Sequence, residues 1–309
     1  MNDRRSLAVP EGLDGERLDA ALARMFGLSR SRAAELIVGG GVLVEGVTAA
    51  KADRVRAGLW LDVWLPPPPR PPMPAAKPVG ALGIVYEDAD IVVIDKPSGV
   101  AAHPSPGWEG PTVVGGLLAS GHIVAPVGAA ERPGIVHRID AGTTGLMVVA
   151  KSELAYVKLK RAFRSRRVDK RYHALVQGRP DPLRGTVDAP LERHPAHEYK
   201  WAVIADGKPS VTHYDTIEAF RSAALLDVKI DTGRTHQIRV HMAAIRHPCV
   251  GDLLYGADPT LGGRLGLDRQ ALHAARLGFA HPVRGHSVEF ESEHPTDLRR
   301  AIEILRSET

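Results

Sequence analysis

An aspartate in a glycine-punctuated loop is the first residue whose setting suits chemistry. Asp140 lies in the polar loop of residues 134–145, which leads directly into an apolar, strand-like run. Gly142 and Gly145 permit tight turns with positive φ, and catalytic groups are often carried on loops that rigid strands hold. A carboxylate placed there can act as a nucleophile or as an acid–base group. The structural alternative is that Asp140 closes an Asx turn or pairs with Arg138.

A second polar segment, residues 231–241, brings an arginine to the predicted start of a helix. A cation at a helix N-terminus is unfavourable unless an anion lies beside it. Asp140 or a phosphate would be a suitable anion for Arg234, and the alternative is that Arg234 extends into water. Three histidines in or near this segment lack the spacing of a metal site: His236, His241 and His247. We therefore expect no metal.

A dense run of basic residues leads to a tyrosine. Residues 158–171 contain eight Lys or Arg and one acid, Asp169, and Tyr172 follows on a predicted strand. Such a run is commonly a solvated helix face. A run of basic residues that ends at a tyrosine also suits the binding of a negatively charged polymer, one base of which reacts.

Short strand-like runs outnumber helices after residue 80. The patterns predict strands at 91–94, 145–150, 171–177 and 223–230, and helices at 153–165 and 235–245. Strands and helices do not alternate regularly, which argues against a doubly wound sheet. We expect an α+β domain, with a mixed, mainly antiparallel sheet and flanking helices.

A small α/β module precedes this domain. Apolar spacing predicts helices at 17–26 and from about residue 30 to Gly39, followed by strands at 42–44 and 59–65. Arg30 and Arg32 stand at the start of the second helix, where exposed cations oppose the helix dipole. That placement favours an external anion such as an RNA phosphate, although two solvated surface charges explain it equally well.

A proline-rich segment separates the two parts. Residues 66–78 contain eight prolines, and proline fixes φ and removes a backbone donor, so this segment is predicted to be an extended strut. The expected organisation is therefore a small domain at 14–65, a linker at 66–79 and a larger domain at 80–309.

Composition narrows the class of protein. The chain has 309 residues, 44% of them hydrophobic, with a net charge of +4 and one cysteine. This balance excludes a disulfide-stapled miniprotein, a collagen-like chain and a wholly disordered one. No apolar run is long enough to span a membrane, and the lone Cys249 fits a reducing compartment. We expect a cytoplasmic protein with no membrane partner.

Together these segments resemble known families. Three segments resemble the signature motifs of the RluA-type pseudouridine synthases. They are His137-Arg-Ile-Asp140 with Thr143-Thr-Gly-Leu146, Lys170-Arg-Tyr-His-Ala-Leu-Val-Gln-Gly178 and Gly233-Arg-Thr-His-Gln-Ile-Arg-Val-His241. The segments Ile94-Asp-Lys-Pro-Ser-Gly99 and Leu272-His-Ala274 are similar to flanking segments of the same family. The pattern of Arg17-Leu-Asp19, Leu28-Ser-Arg-Ser-Arg32 and Gly41-Val-Leu-Val-Glu-Gly46 resembles an S4-type RNA-binding domain.

The resemblance implies an enzyme that detaches uracil at N1 and reattaches it through C5, without cofactor, metal or energy source. Asp140 matches the essential aspartate, Arg234 its basic partner, and Tyr172 the tyrosine that stacks on the base and helps remove the C5 proton. Arg138 matches the arginine that fills the space of the flipped uridine. The other residues expected to contact RNA are His137, Thr144, Lys170, Arg30, Arg32, Lys160 and Arg164.

The substrate that this resemblance implies is large-subunit (23S) ribosomal RNA, in the helix 69 region, bound by a monomer. One alternative is the same chemistry on tRNA or on another ribosomal RNA site. Two others differ in class: a non-catalytic RNA-binding factor in ribosome assembly, and an aspartate-based hydrolase of small substrates.

Overall fold

The computed structural model divides the chain into two compact units, Met1–Arg70 and Pro71–Thr309. The structure describes residues 3–28, 30–65, 75, 77–80, 82–105, 107–128 and 132–308. Of the predicted proline-rich linker, 66–79, only residues 75 and 77–79 are among these. Within the described parts of the chain, no helix is long and apolar enough to cross a membrane.

The first unit packs two helices against a small antiparallel sheet. Its elements are β1 (Asp3–Ala8), α1 (Leu18–Phe26), α2 (Arg30–Val38), β2 (Val42–Val44), β3 (Val47–Thr48) and β4 (Trp60–Leu65). The sheet order is β1-β4-β2-β3. Leu18, Leu22 and Leu61 are fully buried between the layers. The predicted helices and strands are confirmed, and β1 is an additional strand that pairs with β4 along its whole length.

The second unit contains the remaining elements. Its strands are β5 (Gly83–Glu87), β6 (Ile91–Lys96), β7 (Thr144–Ala150), β8 (Asp169–Gln177), β9 (Arg184–Asp188), β10 (Leu191–His194), β11 (His197–Val203), β12 (Val211–Ala219), β13 (Ala223–Ile230), β14 (Leu272–Ala280) and β15 (Ser287–Glu291). Its helices are α3 (Val113–Ala119), α4 (Glu153–Arg164), α5 (Gln237–Ala244), α6 (Pro259–Leu265) and α7 (Thr296–Ser307).

The described residues of this unit form a nine-stranded sheet in the order β5-β6-β7-β14-β8-β13-β12-β9, with β15 paired to β14. Strands β7 and β14 are parallel, whereas the other pairs in the sheet are antiparallel. The expected α+β fold with a mixed, mainly antiparallel sheet and flanking helices is confirmed.

The centre of the sheet fixes the relative position of two motifs. Ala274 on β14 pairs with Gly145 on β7 and with Tyr172 on β8, so the three residues form one cross-strand row. Gly145 has φ of +106°, and a Cβ there would lie 2.3 Å from the carbonyl oxygen of Ala274. Only glycine allows this approach. The loop that carries Asp140 therefore enters the sheet two strands away from Tyr172.

Helix α5 begins later than the sequence indicates, at Gln237 rather than residue 235. The Gln237 side-chain oxygen accepts hydrogen bonds from the Arg234 amide (3.0 Å) and the Thr232 hydroxyl (2.8 Å). These bonds hold residues 232–236 as a loop, and His236 adopts a left-handed conformation with φ of 56°. Arg234 consequently lies in the loop rather than on the helix.

Candidate active site

A cavity of about 500 Å³ opens where four chain segments meet. It is lined by the loop 136–143, the segment 163–172, the end of β13 with the loop that follows it, and the first turn of α5. This volume lies in the range of sites for small organic groups, so the cavity accommodates a nucleobase with its sugar. Asp140, Tyr172 and Arg234 all line it.

The carboxylate of Asp140 is held by an arginine of α5. Arg239 Nη1 lies 3.2 Å from Asp140 Oδ2, and the Asp140 side chain keeps 15% of its surface exposed. The same guanidinium binds buried Asp252 through two further bonds of 2.6 and 2.9 Å. The Tyr255 ring packs against it, with its centroid 4.9 Å from the Arg239 carbon. The two hydrogen bonds to Asp252 therefore fix the orientation of the Arg239 guanidinium, which faces Asp140.

The expected pairing of Asp140 with Arg234 is therefore wrong in this geometry. Arg234 lies in the loop before α5, and its Nε donates to the carbonyl oxygen of Pro209 at 3.4 Å. Arg239 is five residues further on, and its side chain is buried and turned toward Asp140. Arg234 remains on the cavity wall as a half-exposed cation.

His236, which is hydrogen-bonded to Tyr255, is a second polar group near this carboxylate. His236 Nε2 lies 4.0 Å from Asp140 Oδ2, and its Nδ1 is 2.7 Å from the Tyr255 hydroxyl. That hydroxyl also accepts a hydrogen bond from the Trp201 amide at 3.1 Å. Burial lowers the pKa of His236, although the charge of Asp140 opposes the shift. Burial therefore favours the neutral imidazole.

Tyr172 lies on β8 at the floor of the cavity, with only 6% of its surface exposed. Burial raises the pKa of its phenol, and the negative charge of Asp140 raises it further. The phenol therefore keeps its proton at neutral pH and requires help from its surroundings to act as a base.

Two buried basic side chains donate hydrogen bonds to the backbone of the Asp140 loop. Lys96 is fully buried, and its Nζ donates to the carbonyl oxygens of Pro97 (2.9 Å) and Ala141 (3.0 Å). Arg269 Nη1 donates to the Gly142 carbonyl at 3.0 Å. The carbonyls directly after Asp140 are thus fixed, which restricts the direction of its side chain.

Lys96 should make stability depend on pH. Burial lowers its pKa to about 7 from 10.5, against the opposing charge of Asp140. Between those two values the unfolded chain binds a proton that the folded chain does not, so stability rises as pH increases. From pH 7 to pH 9, we expect wild type to gain about 2 kcal/mol in free energy of unfolding relative to Lys96→Met. Urea unfolding at several pH values measures this difference.

The control for that measurement is Lys158→Met, an exposed substitution on α4. Its stability difference from wild type should stay constant over the same pH range, because an exposed amine is hydrated in both states. A constant difference for Lys96→Met as well would show that Lys96 stays charged when buried.

The residues of the His-Arg motif face different ways. His137 stacks on Phe163 with ring centroids 4.4 Å apart, and its Nε2 accepts a hydrogen bond from the Val148 amide at 3.0 Å. Burial and the nearby charge of Lys170 lower its pKa to about 3, so His137 is neutral and supports the loop. Arg138 is exposed at the cavity edge, where it is free to meet a ligand.

Basic residues dominate the cavity lining. Among the described residues that line it, seven are Lys or Arg and two are Asp: Arg138, Arg164, Arg166, Lys170, Lys229, Arg234 and Arg239, against Asp140 and Asp231. Burial lowers the pKa of Lys170, an effect that Asp231 partly offsets. An excess of guanidinium and ammonium groups over carboxylates suits a polyanionic ligand.

Of the RNA contacts expected in the second unit, Thr144 and Lys160 lie outside this lining. Thr144 is 4% exposed, and its hydroxyl pairs with His273 Nδ1 at 2.9 Å inside the sheet. Its position suits support of the β7–β14 junction rather than contact with RNA. Lys160 is exposed on α4, where its Nζ lies 3.1 Å from the Tyr156 hydroxyl and above that ring.

Arg30 and Arg32 are exposed at the start of α2 in the first unit, with side chains 63% and 49% accessible. Each lies close to an acid: Arg30 is 3.5 Å from Asp19, and Arg32 is 3.0 Å from Glu35. Both guanidinium groups are largely exposed, and ion pairs made by exposed side chains are weak, so both remain able to bind phosphate.

The histidines considered for a metal have structural partners. His241 is buried between the Thr212 hydroxyl (2.8 Å) and the Ala189 carbonyl (2.9 Å), and His247 Nδ1 lies 2.7 Å from the Gln177 carbonyl. In the part of the chain that the structure describes, no three His, Cys, Asp or Glu side chains are grouped to hold a metal ion.

Sequence reasoning missed several residues that build the site. Arg239 is in the same motif as Arg234, and its position on the inward face of α5 was the available signal. Lys96 was visible as a charged residue two positions after the apolar run 91–94. For Asp252 and Tyr255 the sequence offered no signal, because both lie in an irregular segment outside the motifs.

Comparison with known proteins adds independent findings. The RNA pseudouridylate synthase family matches residues 90–244, and the S4 domain family matches residues 16–61. A Mycobacterium bovis protein named as an uncharacterized RNA pseudouridine synthase is 58% identical over 304 residues, covering 98% of this chain and 99% of that protein. Ribosomal large subunit pseudouridine synthase D of Xanthomonas campestris is 41% identical, covering 99% and 93%.

Solved structures show the same similarity. Human RNA pseudouridylate synthase domain containing 1 superposes with a TM-score of 0.57 at 26% identity, covering 75% of this chain and 98% of that one. Human RNA pseudouridylate synthase domain containing 4 gives 0.56 at 25% identity, covering 72% and 93%.

Proposed function

Because the chain belongs to the RNA pseudouridylate synthase family and carries an S4 domain, we propose that it converts uridine to pseudouridine in large-subunit ribosomal RNA, with Asp140 as the essential carboxylate. That it is a pseudouridine synthase, an isomerase acting on RNA, follows from the family and the named relatives. The ribosomal substrate, the helix 69 region within it and the residue roles are the proposal.

The observation that carries the proposal is the Asp140 carboxylate, held in place within a basic cavity. Asp140 is anchored by Arg239 at 3.2 Å and shares the cavity with Tyr172. A binding protein has no need of a partly exposed carboxylate among cations, because that charge repels RNA phosphate. The arrangement therefore favours catalysis over the alternative of a non-catalytic ribosome-assembly factor.

The chemistry needs few groups. The C1′–N1 bond breaks, the uracil rotates, the C1′–C5 bond forms, and the C5 proton is lost while N1 gains a proton. Asp140 acts on the ribose, either as a nucleophile at C1′ or by taking a sugar proton. The uridine must first leave its stack, and exposed Arg138 is placed at the cavity edge to occupy the vacated space.

Tyr172→Phe tests the role of the phenol. The substitution keeps the ring that stacks on the base and removes only the hydroxyl. Since proton transfer by a placed side chain is worth about 10²–10⁴-fold, we expect the single-turnover rate to fall by about 10²-fold or more at saturating RNA. The RNA dissociation constant should change little. A rate equal to that of wild type would assign Tyr172 to stacking alone.

Position-by-position mapping of pseudouridine in ribosomal and transfer RNA tests the substrate. Cells that lack the protein should lose pseudouridine at one or more large-subunit positions, and wild-type protein should restore it. Loss confined to tRNA would support the alternative substrate. Unchanged maps, with turnover of a small substrate by the purified protein, would support an aspartate-based hydrolase. The proposal places the protein in the cytoplasm with the ribosomal RNA.

A further inference from the structure

A chain of hydrogen bonds that begins outside the motifs leads to an imidazole beside the Asp140 carboxylate. The Trp201 amide on β11 donates to the Tyr255 hydroxyl at 3.1 Å. That hydroxyl lies 2.7 Å from His236 Nδ1, and His236 Nε2 stands 4.0 Å from Asp140 Oδ2. Three separate parts of the chain therefore converge on one imidazole.

The surroundings select one tautomer of His236. An Nε2 lone pair facing the negative Oδ2 of Asp140 would be repelled, so the proton belongs on Nε2. Nδ1 is then an acceptor, and the Tyr255 hydroxyl donates its proton to Nδ1. The oxygen of the same hydroxyl accepts the hydrogen bond from the Trp201 amide. The other charged groups that act on the imidazole are Arg239, Asp252 and Arg138.

Both groups that face the carboxylate approach the same oxygen. Arg239 Nη1 and His236 Nε2 are directed at Asp140 Oδ2. From the residues that the structure describes, Oδ1 receives no hydrogen bond. One oxygen of this cavity-lining carboxylate is therefore anchored, and the other has no hydrogen-bond partner among the described residues.

We propose that His236 is a positioning residue for the isomerisation, and that its Nε2–H, with Arg239, anchors Oδ2 so that Oδ1 acts on the ribose. This inference rests on the proposed function. The distance of 4.0 Å exceeds a hydrogen bond, and contacts of this kind shorten when substrate fills the site. The left-handed backbone of His236 is a conformation that a non-glycine residue adopts at an energetic cost. Here it directs the ring into the cavity.

Two substitutions at this position separate the donor from the fold. His236→Gln keeps an N–H donor at about the reach of Nε2, whereas His236→Leu removes it, and both side chains meet the same backbone strain. A hydrogen bond to a charged group corresponds to about 10- to 100-fold in rate. We expect the single-turnover rate at saturating RNA to fall by that factor in His236→Leu and by about 3-fold or less in His236→Gln, with RNA affinity unchanged in both.

Tyr255→Phe tests whether the Tyr255 hydroxyl stabilises the Nε2–H tautomer of His236. Phenylalanine keeps the ring against Arg239 and loses only the bond to Nδ1, so a reduction of about 2- to 10-fold is expected. Equal rates for His236→Leu and wild type, or equal losses in the Leu and Gln variants, would overturn the proposal.

A second readout requires no activity. In protein labelled with ¹⁵N-histidine, the His236 resonances, assigned by their loss in His236→Gln, should show a protonated Nε2 and an unprotonated Nδ1. An Nδ1–H tautomer would overturn the proposal even in an active enzyme. If wild type makes no pseudouridine on any RNA, the proposed function fails, and the tautomer measurement still decides the local geometry.

Discussion

Asp140→Asn is expected to abolish pseudouridine formation while the protein still folds and binds RNA. Asparagine has nearly the same shape, but it supplies neither a negative charge nor a nucleophilic oxygen. We expect the single-turnover rate to fall by at least about 10³-fold. Folding should survive, because Arg239 keeps both of its bonds to Asp252. Quantified pseudouridine in a large-subunit RNA fragment, with a binding titration and thermal unfolding beside it, measures all three quantities.

Asp215→Asn is the matched control. Asp215 is the neighbour of Tyr214 on β12, and it faces away from the core and pairs with Arg184 at 2.6 Å. The chemical change is identical, yet the rate should stay within about 2-fold of wild type, because an exposed pair contributes little. If Asp140→Asn retained more than a tenth of the wild-type rate, the carboxylate would not be the essential group.

Arg239→Lys is expected to produce the second largest loss. Lysine presents one compact charge, which cannot bind Asp252 through two bonds and reach Asp140 as well. One carboxylate therefore loses its partner, and Asp252 is only 2% exposed. We expect a rate reduction of about 100-fold together with a lower melting temperature, because a buried charge that loses its partner is strongly destabilising. Single-turnover kinetics and calorimetry measure the two effects.

Arg234→Lys distinguishes the two arginines of the motif. Arg234 is half exposed, and its Nε contacts a backbone carbonyl rather than a carboxylate. This variant should raise KM a few-fold and leave kcat and the melting temperature nearly unchanged. If Arg234→Lys lost activity as severely as Arg239→Lys, the pairing seen here would not be the one that operates during turnover.

The sequence was sufficient for those parts of the site that local patterns encode. Local patterns made Asp140 and Tyr172 candidates, the resemblance supplied the roles predicted for them, and both line the cavity. The strand at Ala223–Ile230 was predicted with the bounds that the structure has, because its apolar residues and turn boundaries are local signals.

Such local patterns could not decide whether Arg234 or Arg239 pairs with Asp140. The pairing depends on where α5 begins, and Gln237 settles that by capping the preceding loop with its own side chain. It also depends on Asp252, thirteen residues away, whose carboxylate draws Arg239 inward. Lys96 is similar, since its acceptor Ala141 is 45 residues distant. Contacts between residues far apart in sequence decide these positions, and periodicity carries no information about them.

The row formed by Gly145, Ala274 and Tyr172 also bears on how the protein is made. Its middle strand, β14, is synthesised after most of the chain, whereas the first unit is complete by residue 70. Domains fold in order from the N-terminus during translation. A nascent chain that stops short of β14 therefore carries the S4 unit and all three motifs, yet it lacks the strand that brings Asp140 and Tyr172 into register. We therefore expect a chain truncated before β14 to retain the S4 unit and to form no pseudouridine.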